Sequence, residues 1–400
     1  MLDLQAANKL IADSFIVKVK TVPIEQSLGK ILAEDIFVKR DLPPFDRVAM
    51  DGIAINSKDS GDHFKNGSFS IEGVQAAGEP QKKLVNTISG CLEVMTGAVL
   101  PLNCDLVIPY EMTKIEDDCA SLVDSDQGFI PLQNIHLMGS DLKKGELALS
   151  KGQPITSSVI AIIASEGMPF VKVQSAPRIA IISTGDELVE IDKKPEAHQI
   201  YMSNLYTLKA ELRSFGHESV ETHHLLDDEA SLLKSLKKIL EENDLLLITG
   251  GVSKGKFDYI PKVLGDLRVK KIFHKVAQRP GKPLWFGSGE EGQLVFGLPG
   301  NPVSSLVNLR RHVIPYLTKE KLLKVRLKEE VSFKKAMTFF QPVSLELVEG
   351  SYIAKPIKGN GSGDYYSLKD SSGFIELPSD KNTFGNDELY DYYPWGKTCL

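Results

Sequence analysis

Residues 245–264, LLLITGGVSKGKFDYIPKVL, join a short apolar run to three glycines, a serine, two lysines and an aspartate. The apolar run is typical of a buried strand, and the spacing of the later apolar residues indicates a helix. A strand that leads through a turn into a helix is the building unit of an α/β fold. The turn itself has two interpretations: a solvated connection, or a pocket for a phosphorylated group.

The same alternation of strand and helix extends over residues 176–322. RIAIIST (178–184) and QLVFGLPG (293–300) have strand patterns, and SNLYTLKAELRSFG (203–216) has helical spacing. This order predicts a doubly wound, mostly parallel sheet, in which ligands bind at the carboxyl ends of the strands. Four polar turns fall at such ends: STGDE (183–187), LLDD (225–228), TGGVSKGKFD (249–258) and LPGNP (298–302).

The flanking segments predict three further domains around this central α/β domain. Residues 1–43 together with 136–175 predict a helical and extended N-terminal domain, and residues 44–135 predict a β-rich inserted domain. Residues 323–400 contain short strand patterns that are typical of a small β-barrel. Within the N-terminal domain we expect residues 1–26 and about 145–170 to be helical.

The composition is that of an ordinary globular protein, with 400 residues, 42% hydrophobic residues and a net charge of −6. This balance does not favour a general nucleic-acid binder. The apolar runs are far shorter than the ~20 residues that span a bilayer, and the first residues lack the pattern of a secretory leader. We therefore expect a cytoplasmic protein. Its four cysteines show no C-x-x-C spacing, so we expect neither a disulfide framework nor a cysteine zinc site.

Two turns are suited to bind an anion through the backbone. Gly250 and Gly251 allow N–H groups to face a phosphate, and Ser253 adds a hydroxyl. Asn301 and Pro302 predict a helix start, whose N–H groups and dipole favour an oxyanion. Each pattern also has a plain structural interpretation, as an ordinary turn or a capped helix. Their convergence at one sheet edge favours a pocket.

Charged residues add to this interpretation. Three cations surround the Pro-Gly turn of KVAQRPGKP (275–283), namely Lys275, Arg279 and Lys282. They could neutralise phosphate or simply form a solvated basic turn. Three carboxylates stand at separate strand ends, namely Glu187, Asp227 and Asp258. Their oxygens suit Mg²⁺, although the two aspartates could equally be helix caps. Asp51 and Asp141 lie in N-terminal segments that we expect to be ordered loops.

Seven segments, taken in order, resemble the MoeA family of molybdopterin molybdenumtransferases, which is related to the gephyrin E domain. They are FDRVAMDG (45–52), GSDLKKGE (139–146), STGDEL (183–188), TGGVSKGKFDY (249–259), KVAQRPGKP (275–283), GLPGNPVSS (297–305) and GNGSGDYYSL (359–368). One such motif has little weight alone. Seven in this order, over nearly the whole chain, are hard to obtain by chance.

The resemblance implies a reaction, in which molybdate is inserted into adenylylated molybdopterin in a Mg²⁺-dependent step that releases AMP. It implies catalytic roles for Asp51, Asp141, Glu187, Asp258, Lys275 and Arg279, and Mg²⁺ ligation by Glu187, Asp227 and Asp258. The expected substrate contacts are Thr184, Gly185, Asp227, Gly250, Gly251, Ser253, Lys282, Pro299, Gly300, Asn301, Pro302 and Ser367. It also implies a homodimer, in which the N-terminal loops of one subunit complete the pocket of the other. A separate molybdopterin adenylyltransferase would be the upstream partner.

The chain departs from the family pattern at two places. Arg47, Val48 and Ile53 replace the usual Asn, Ser and Tyr of the FDRVAMDG segment, and Arg47 adds charge beside the expected site. Pro342 stands where the family usually has an arginine, which leaves the role of the last domain open.

Two other functions compete with the molybdenumtransferase. The first is a molybdopterin adenylyltransferase, whose single domain resembles residues 176–322; the additional N- and C-terminal regions disfavour it. The second is a non-catalytic scaffold of the gephyrin E-domain type. The carboxylates of the expected site are intact in this chain, whereas a scaffold could have lost them, so an enzyme is favoured.

Overall fold

A computed structural model describes residues 1–61, 63, 67–124, 128–251, 259–318 and 320–397. The chain divides into two compact units, residues 1–18 with 175–400 and residues 19–174. We call them the α/β unit and the N-terminal unit. The finer division into four domains stays a prediction. Among the described residues, no helix is long and apolar enough to cross a membrane.

The α-helices of the described residues are short, and most lie in the α/β unit. They are α1 (Leu4–Ser14), α2 (Ser57–Ser60), α3 (Ser157–Ser165), α4 (Ser203–Ser214), α5 (Glu229–Glu242), α6 (Ile260–Asp266), α7 (Pro302–His312) and α8 (Ile314–Thr318). Single 3-10 turns occupy Ile24–Gln26, Tyr110–Met112 and Tyr365–Asp370. The prediction of helix over residues 1–26 is wrong beyond Ser14. The VKTVP segment that follows is rich in β-branched residues and forms a strand instead.

The N-terminal unit is built almost entirely from short strands. They are β1 (Val19–Pro23), β2 (Ile36–Phe37), β3 (Arg47–Val48), β4 (Gly52–Ile55), β5 (Ser68–Gln75), β6 (Gly90–Val94), β7 (Leu106–Pro109), β8 (Thr113–Glu116), β9 (Cys119–Leu122), β10 (Ile135–His136), β11 (Leu147–Leu149) and β12 (Phe170–Gln174). A mixed sheet has the order β7-β4-β6-β5-β9-β8, and the pairs β1–β12, β2–β11 and β3–β10 form separate ribbons. The predicted helix over 145–170 is restricted to α3.

A six-stranded sheet forms the centre of the α/β unit. The strands of this part of the chain are β13 (Ile179–Thr184), β14 (Leu188–Val189), β15 (Ile200–Tyr201), β16 (Val220–Leu225), β17 (Leu245–Thr249), β18 (Lys270–His274), β19 (Gln278–Arg279), β20 (Trp285–Ser288) and β21 (Leu294–Leu298). The order of the strands in the sheet is β16-β13-β17-β21-β20-β18. The first four are parallel to one another, and β20 is antiparallel to both of its neighbours, β21 and β18.

Helices cover both faces of this sheet, which makes it doubly wound. Ile179 and Ile181 pack with Leu208 of α4 and Val307 of α7. The alternate residues Ala180 and Ile182 pack with α5 and α6 on the other face. Successive side chains of a strand point to opposite faces, so an unbroken apolar run is what a sheet buried on both sides requires.

The C-terminal strands form the predicted barrel. They are β22 (Leu323–Leu327), β23 (Val331–Ser332), β24 (Thr338–Val348), β25 (Ser351–Pro356), β26 (Gly373–Leu377), β27 (Thr383–Phe384) and β28 (Tyr390–Pro394). The order β24-β25-β22-β28-β26 closes because the long strand β24 also pairs with β26. Pro342, at the position of the usual arginine, lies opposite Phe374 in that last ladder.

Candidate active site

The carboxyl ends of four parallel strands meet at one edge of the central sheet. In the register of the sheet, Thr184 lies opposite Leu225, Ser183 opposite Thr249, and Thr249 opposite Leu298. The turns after these strands therefore emerge together, as the alternation predicted. Ser253 and Asp258 belong to the third turn but lie outside the described residues.

Thr184 faces the glycines of the third turn. Its hydroxyl is buried and has no hydrogen-bond partner among the described residues. A Cβ on Gly250, which has φ +90°, would lie 2.6 Å from the carbonyl oxygen of Thr184 and 3.0 Å from its Oγ1. A Cβ on Gly251, with φ +62°, would also lie 3.0 Å from that hydroxyl. Both positions require glycine, and the unpaired hydroxyl can bind a polar group of a ligand.

Asn204 joins this edge from the start of α4. Its Nδ2 donates to the carbonyl oxygen of Gly300 at 2.7 Å, while its Oδ1 is buried without a partner among the described residues. Gly300 in turn approaches Gly250, since a Cβ on Gly300 would lie 3.9 Å from the Gly250 Cα. Asn204 is not among the residues predicted from the sequence. A polar residue in the first turn of the helix after a ligand-binding loop was the available signal.

Acidic residues at one corner of the sheet edge follow two neighbouring strands, β13 and β16. Both carboxylate oxygens of Glu187 lie beside Gly185, at 2.6 and 2.7 Å from the position that a Cβ would take. The backbone N–H of Asp227 donates to Oδ1 of Asp186 at 3.2 Å. Asp228, and not Asp227, caps α5, because its Oδ2 accepts from the Ser231 N–H at 2.9 Å.

The chemistry of this corner fits Mg²⁺. That ion prefers oxygen ligands and is usually held by one or two carboxylates together with substrate phosphates. Glu187 and Asp227 supply such carboxylates at neighbouring strand ends. Within the described ranges, no three His, Cys, Asp or Glu side chains are grouped closely enough to hold a metal by themselves.

A groove of about 310 Å³ lies at the start of α7. Its lining comprises Gln278, Arg279, Pro280, Gly281, Lys282, Pro283, Pro299, Asn301, Ser304, Lys335, Met337 and Ser362. We call it the cationic groove, because its lining includes the predicted cations Arg279 and Lys282 together with Lys335 of the C-terminal region. None of these described lining residues is a carboxylate. The N-terminal end of α7 adds positive potential, so the groove suits an oxyanion.

A buried polar network holds the 278–283 turn in place. Nε2 of Gln278 donates to Oδ1 of Asn308 at 2.7 Å, and Asn308 Nδ2 donates to the Gly281 carbonyl at 3.1 Å. His312 bonds to Oε1 of Gln278 at 2.8 Å. Burial and the charge of Arg311 hold the pKa of His312 well below its usual value, so this core histidine is neutral. Gly281 has φ +85°, and a Cβ there would lie 2.7 Å from Asn308 Nδ2.

Lys275 does not line the cationic groove but has an unusual backbone. Its φ is +78°, a left-handed conformation that non-glycine residues rarely adopt. The conformation is fixed from both sides, since its N–H donates to the Leu284 carbonyl at 2.8 Å and its carbonyl accepts from the Leu2 N–H at 3.2 Å. Strained residues of this kind are concentrated at functional sites.

The loop 359–364 reaches the start of α7 through Ser362. Asn301 begins the helix, as predicted, but its side chain does not cap it; Nδ2 donates to the Ser362 Oγ at 2.8 Å instead. Pro302 takes the first helical position. Ser367, the residue predicted from this segment, donates its hydroxyl to the Asp364 carbonyl at 2.7 Å. Ser362 lines the groove, and the sequence analysis did not single it out.

The remaining candidates belong to the N-terminal unit, where side chains hold two carboxylates. Oδ1 of Asp51 accepts from both the N–H and the hydroxyl of Thr96, each at 2.6 Å. These hydrogen bonds lower the pKa of Asp51. Asp141 accepts from His136 Nε2 at 2.8 Å, and Arg47 contacts the other ring nitrogen of His136 at 3.0 Å. Thr96 and His136 were not predicted, since nothing in the local pattern marks them.

Comparison with known proteins gives a consistent result over the whole chain. Residues 2–167 match a family described as the MoeA N-terminal region (domain I and II). Residues 180–319 match a probable molybdopterin binding domain, and residues 324–395 match the MoeA C-terminal region (domain IV).

Individual relatives agree with these matches. A molybdopterin molybdenumtransferase of Synechocystis is 42% identical over 377 residues, which are 94% of this chain and 95% of that protein. One from Staphylococcus epidermidis is 31% identical over 97% of this chain and 94% of the relative. Two crystal structures of the molybdopterin biosynthesis MoeA protein of Pyrococcus horikoshii cover 100% and 99% of this chain and all of theirs, with TM-scores of 0.80 and 0.78 at 30% and 28% identity.

Proposed function

The chain belongs to the MoeA family of molybdopterin molybdenumtransferases and is a transferase of molybdenum cofactor biosynthesis, and from this premise we propose that it inserts molybdate into adenylylated molybdopterin and releases AMP. The reaction would take place in the cytoplasm. A separate molybdopterin adenylyltransferase would supply the adenylylated substrate.

The observation that carries the proposal is the cationic groove. Molybdate is a dianion, and the groove offers Arg279, Lys282 and Lys335 together with the N-terminal end of α7. Fixed positive groups that face developing or transferred negative charge are a large source of catalytic stabilisation. Lys275 precedes this turn in the chain, and we assign it to the reaction as a further cation.

The pterin phosphate would bind at the adjacent sheet edge. Pro299 and Asn301 line the cationic groove, while Gly300 between them lies against Gly250 of the sheet-edge turn. The Gly251 N–H and the Thr184 hydroxyl, which has no partner among the described residues, would then donate to the phosphate, whereas the Gly250 N–H, predicted as a further donor, already donates to the Leu298 carbonyl at 3.3 Å. One loop, residues 298–302, thus serves both anions.

Mg²⁺ would be held by Glu187 and Asp227, with Asp258 as a further ligand predicted from the sequence. When bound there, the ion neutralises charge on the phosphoanhydride and so favours its cleavage. The residues of this chain orient the phosphates and the departing AMP, and no protein nucleophile is needed.

Asp51 and Asp141 would complete the site from the N-terminal unit of a second subunit. The two carboxylates belong to residues 19–174, whereas every other proposed site residue belongs to the α/β unit. A homodimer that exchanges these loops brings both sets together. Light scattering of dilute protein should give twice the 44.1 kDa of one chain. A stable monomer with full activity would exclude the shared site.

The decisive experiment is a turnover assay with adenylylated molybdopterin, Mg²⁺ and molybdate. We expect AMP to appear only when molybdate is present. A non-catalytic scaffold would bind molybdopterin without releasing AMP, whereas an adenylyltransferase would consume ATP and unmodified molybdopterin. The matches on both sides of residues 180–319 already disfavour the single-domain adenylyltransferase.

A further inference from the structure

Arg47 and His136 form a cross-strand pair in the N-terminal unit. Strands β3 and β10 are antiparallel, and the register places Arg47 directly opposite His136. A guanidinium nitrogen of Arg47 lies 3.0 Å from His136 Nδ1, and His136 Nε2 lies 2.8 Å from Oδ1 of Asp141. The three side chains therefore form one continuous chain of hydrogen bonds.

The chemistry of arginine determines the tautomer of His136. A guanidinium has five N–H donors and no acceptor, and it stays protonated in proteins. Nδ1 of His136 must therefore accept, so it carries no proton. The single ring proton is then on Nε2, where it is donated to Asp141. A doubly protonated ring would place one N–H against another and one positive charge against another.

This arrangement gives Asp141 a fixed orientation. Its side chain is 53% exposed, and among the described residues only His136 donates to its carboxylate. Without that bond the carboxylate would be free to rotate in solvent. With it, Oδ1 is occupied and Oδ2 is directed away from the imidazole.

We infer that His136, held in its Nε2-protonated tautomer by Arg47, is a positioning residue for the carboxylate of Asp141. The role of Asp141 in catalysis rests on the proposed function, whereas the tautomer and its dependence on Arg47 do not.

The tautomer can be measured without any substrate. Protein labelled with ¹⁵N-histidine should show the Nε2-protonated pattern for His136 in long-range ¹H–¹⁵N spectra, with His136→Gln used for assignment. Arg47→Asn should release the ring into a mixture of tautomers, whereas Arg40→Asn, at an exposed arginine of the same unit, should leave it unchanged. An Nδ1-protonated ring in the wild type, or no response to Arg47→Asn, would overturn the inference.

The activity test replaces His136 with glutamine, whose side chain has both a hydrogen-bond donor and an acceptor. A Gln side chain can accept from Arg47 with its oxygen and donate to Asp141 with its nitrogen, as a neutral imidazole does. We expect His136→Ala to lower AMP release by about 10- to 100-fold, the effect of losing one hydrogen bond to a charged group. His136→Gln should restore most of the rate, and His63→Ala should match the wild type.

The outcomes separate this inference from the proposed function. Wild-type protein without molybdate-dependent AMP release would refute the proposed function, while the spectra would still decide the tautomer. If the wild type is active and Ala and Gln at position 136 behave alike, His136 does not position Asp141. Equal melting temperatures of the variants would show that altered folding does not explain the rates.

Discussion

The two groups of charged residues in the proposed site are held in different ways. The cations Arg279 and Lys282 project from a turn whose backbone is anchored by the buried side chains of Gln278 and Asn308. The carboxylates of Asp51 and Asp141 lie in loops of the N-terminal unit, and exposed or half-buried side chains hold them directly. Buried side chains therefore position the cations, whereas side chains at the surface position the carboxylates.

This difference determines what a substitution should change. A buried polar network is costly to disrupt, because each abandoned donor or acceptor stays away from water. Substitutions that disrupt the network around the 278–283 turn should therefore lower both the free energy of unfolding and the affinity for the anion. Exposed carboxylates can lose their charge at little cost in stability, so substitutions there should affect the rate alone.

The largest effect is expected at Asp51. Asp51→Asn removes a charge but keeps the shape and an acceptor for Thr96. We expect AMP release to fall about 10²-fold or more, as for other residues that act on the transition state. The free energy of unfolding should change by less than about 0.5 kcal/mol, because the residue is exposed.

Asp35→Asn is the matched control for Asp51. Asp35 is another exposed carboxylate of the same unit, and it accepts from the Lys151 N–H at 2.6 Å. Its substitution should leave AMP release at the wild-type rate. A large loss of stability in Asp51→Asn would contradict the contrast between the two regions.

Asn308→Leu tests the other side of the comparison. The fully buried amide accepts from Gln278 Nε2 at 2.7 Å and donates to the Gly281 carbonyl at 3.1 Å, so its loss leaves these two groups only the longer hydrogen bonds of Gln278 Nε2, at 3.3 Å, to the Pro280 and Gly281 carbonyls. We expect the free energy of unfolding to fall by about 1–3 kcal/mol. Molybdate binding, measured by calorimetric titration, should weaken as well.

Asn243→Leu separates general destabilisation from loss of the turn. Asn243 is equally buried in the same unit and donates to the Ile239 carbonyl at 3.1 Å, at the end of α5. This variant should be destabilised but should bind molybdate as the wild type does. If both variants bind molybdate normally, the network does not position the cations.

A smaller effect, confined to acid pH, is expected for Thr96→Val. The Thr96 hydroxyl is the largest contributor that lowers the pKa of Asp51. Without it the pKa rises toward its ordinary value, so the reactive carboxylate form is lost at a higher pH. The acid limb of the rate–pH profile should move to higher pH, with little change at pH 7. Thr113→Val in the same unit should leave that limb in place.

The sequence predicted those parts of the site that depend on local pattern. An unbroken apolar strand followed by glycines identifies a buried strand end, and parallel strands bring such ends to one edge, so Thr184, Gly250 and Gly300 could be predicted together. Asn204 had such a local signal in the first turn of its helix, whereas Ser362 could not be predicted, because its place depends on a contact between segments far apart in the chain. The register that pairs Arg47 with His136 likewise cannot be predicted from the sequence of either two-residue strand.

The smallest expected effect concerns Lys335, the cation that the C-terminal region contributes to the cationic groove. Pro342, at the position where the resemblance predicts an arginine, lies within a barrel strand, so we propose that Lys335 supplies the corresponding charge. It is exposed, and exposed charges contribute at most about 1 kcal/mol. Lys335→Met should therefore weaken molybdate binding by up to about fivefold at low salt. At about 1 M salt, where the screening length falls to about 3 Å, the difference should disappear.

Lys334→Met removes the same charge from the neighbouring residue, which does not line the groove, and should have no comparable effect. Equal losses in the two variants would mean that the C-terminal region acts only through its overall field.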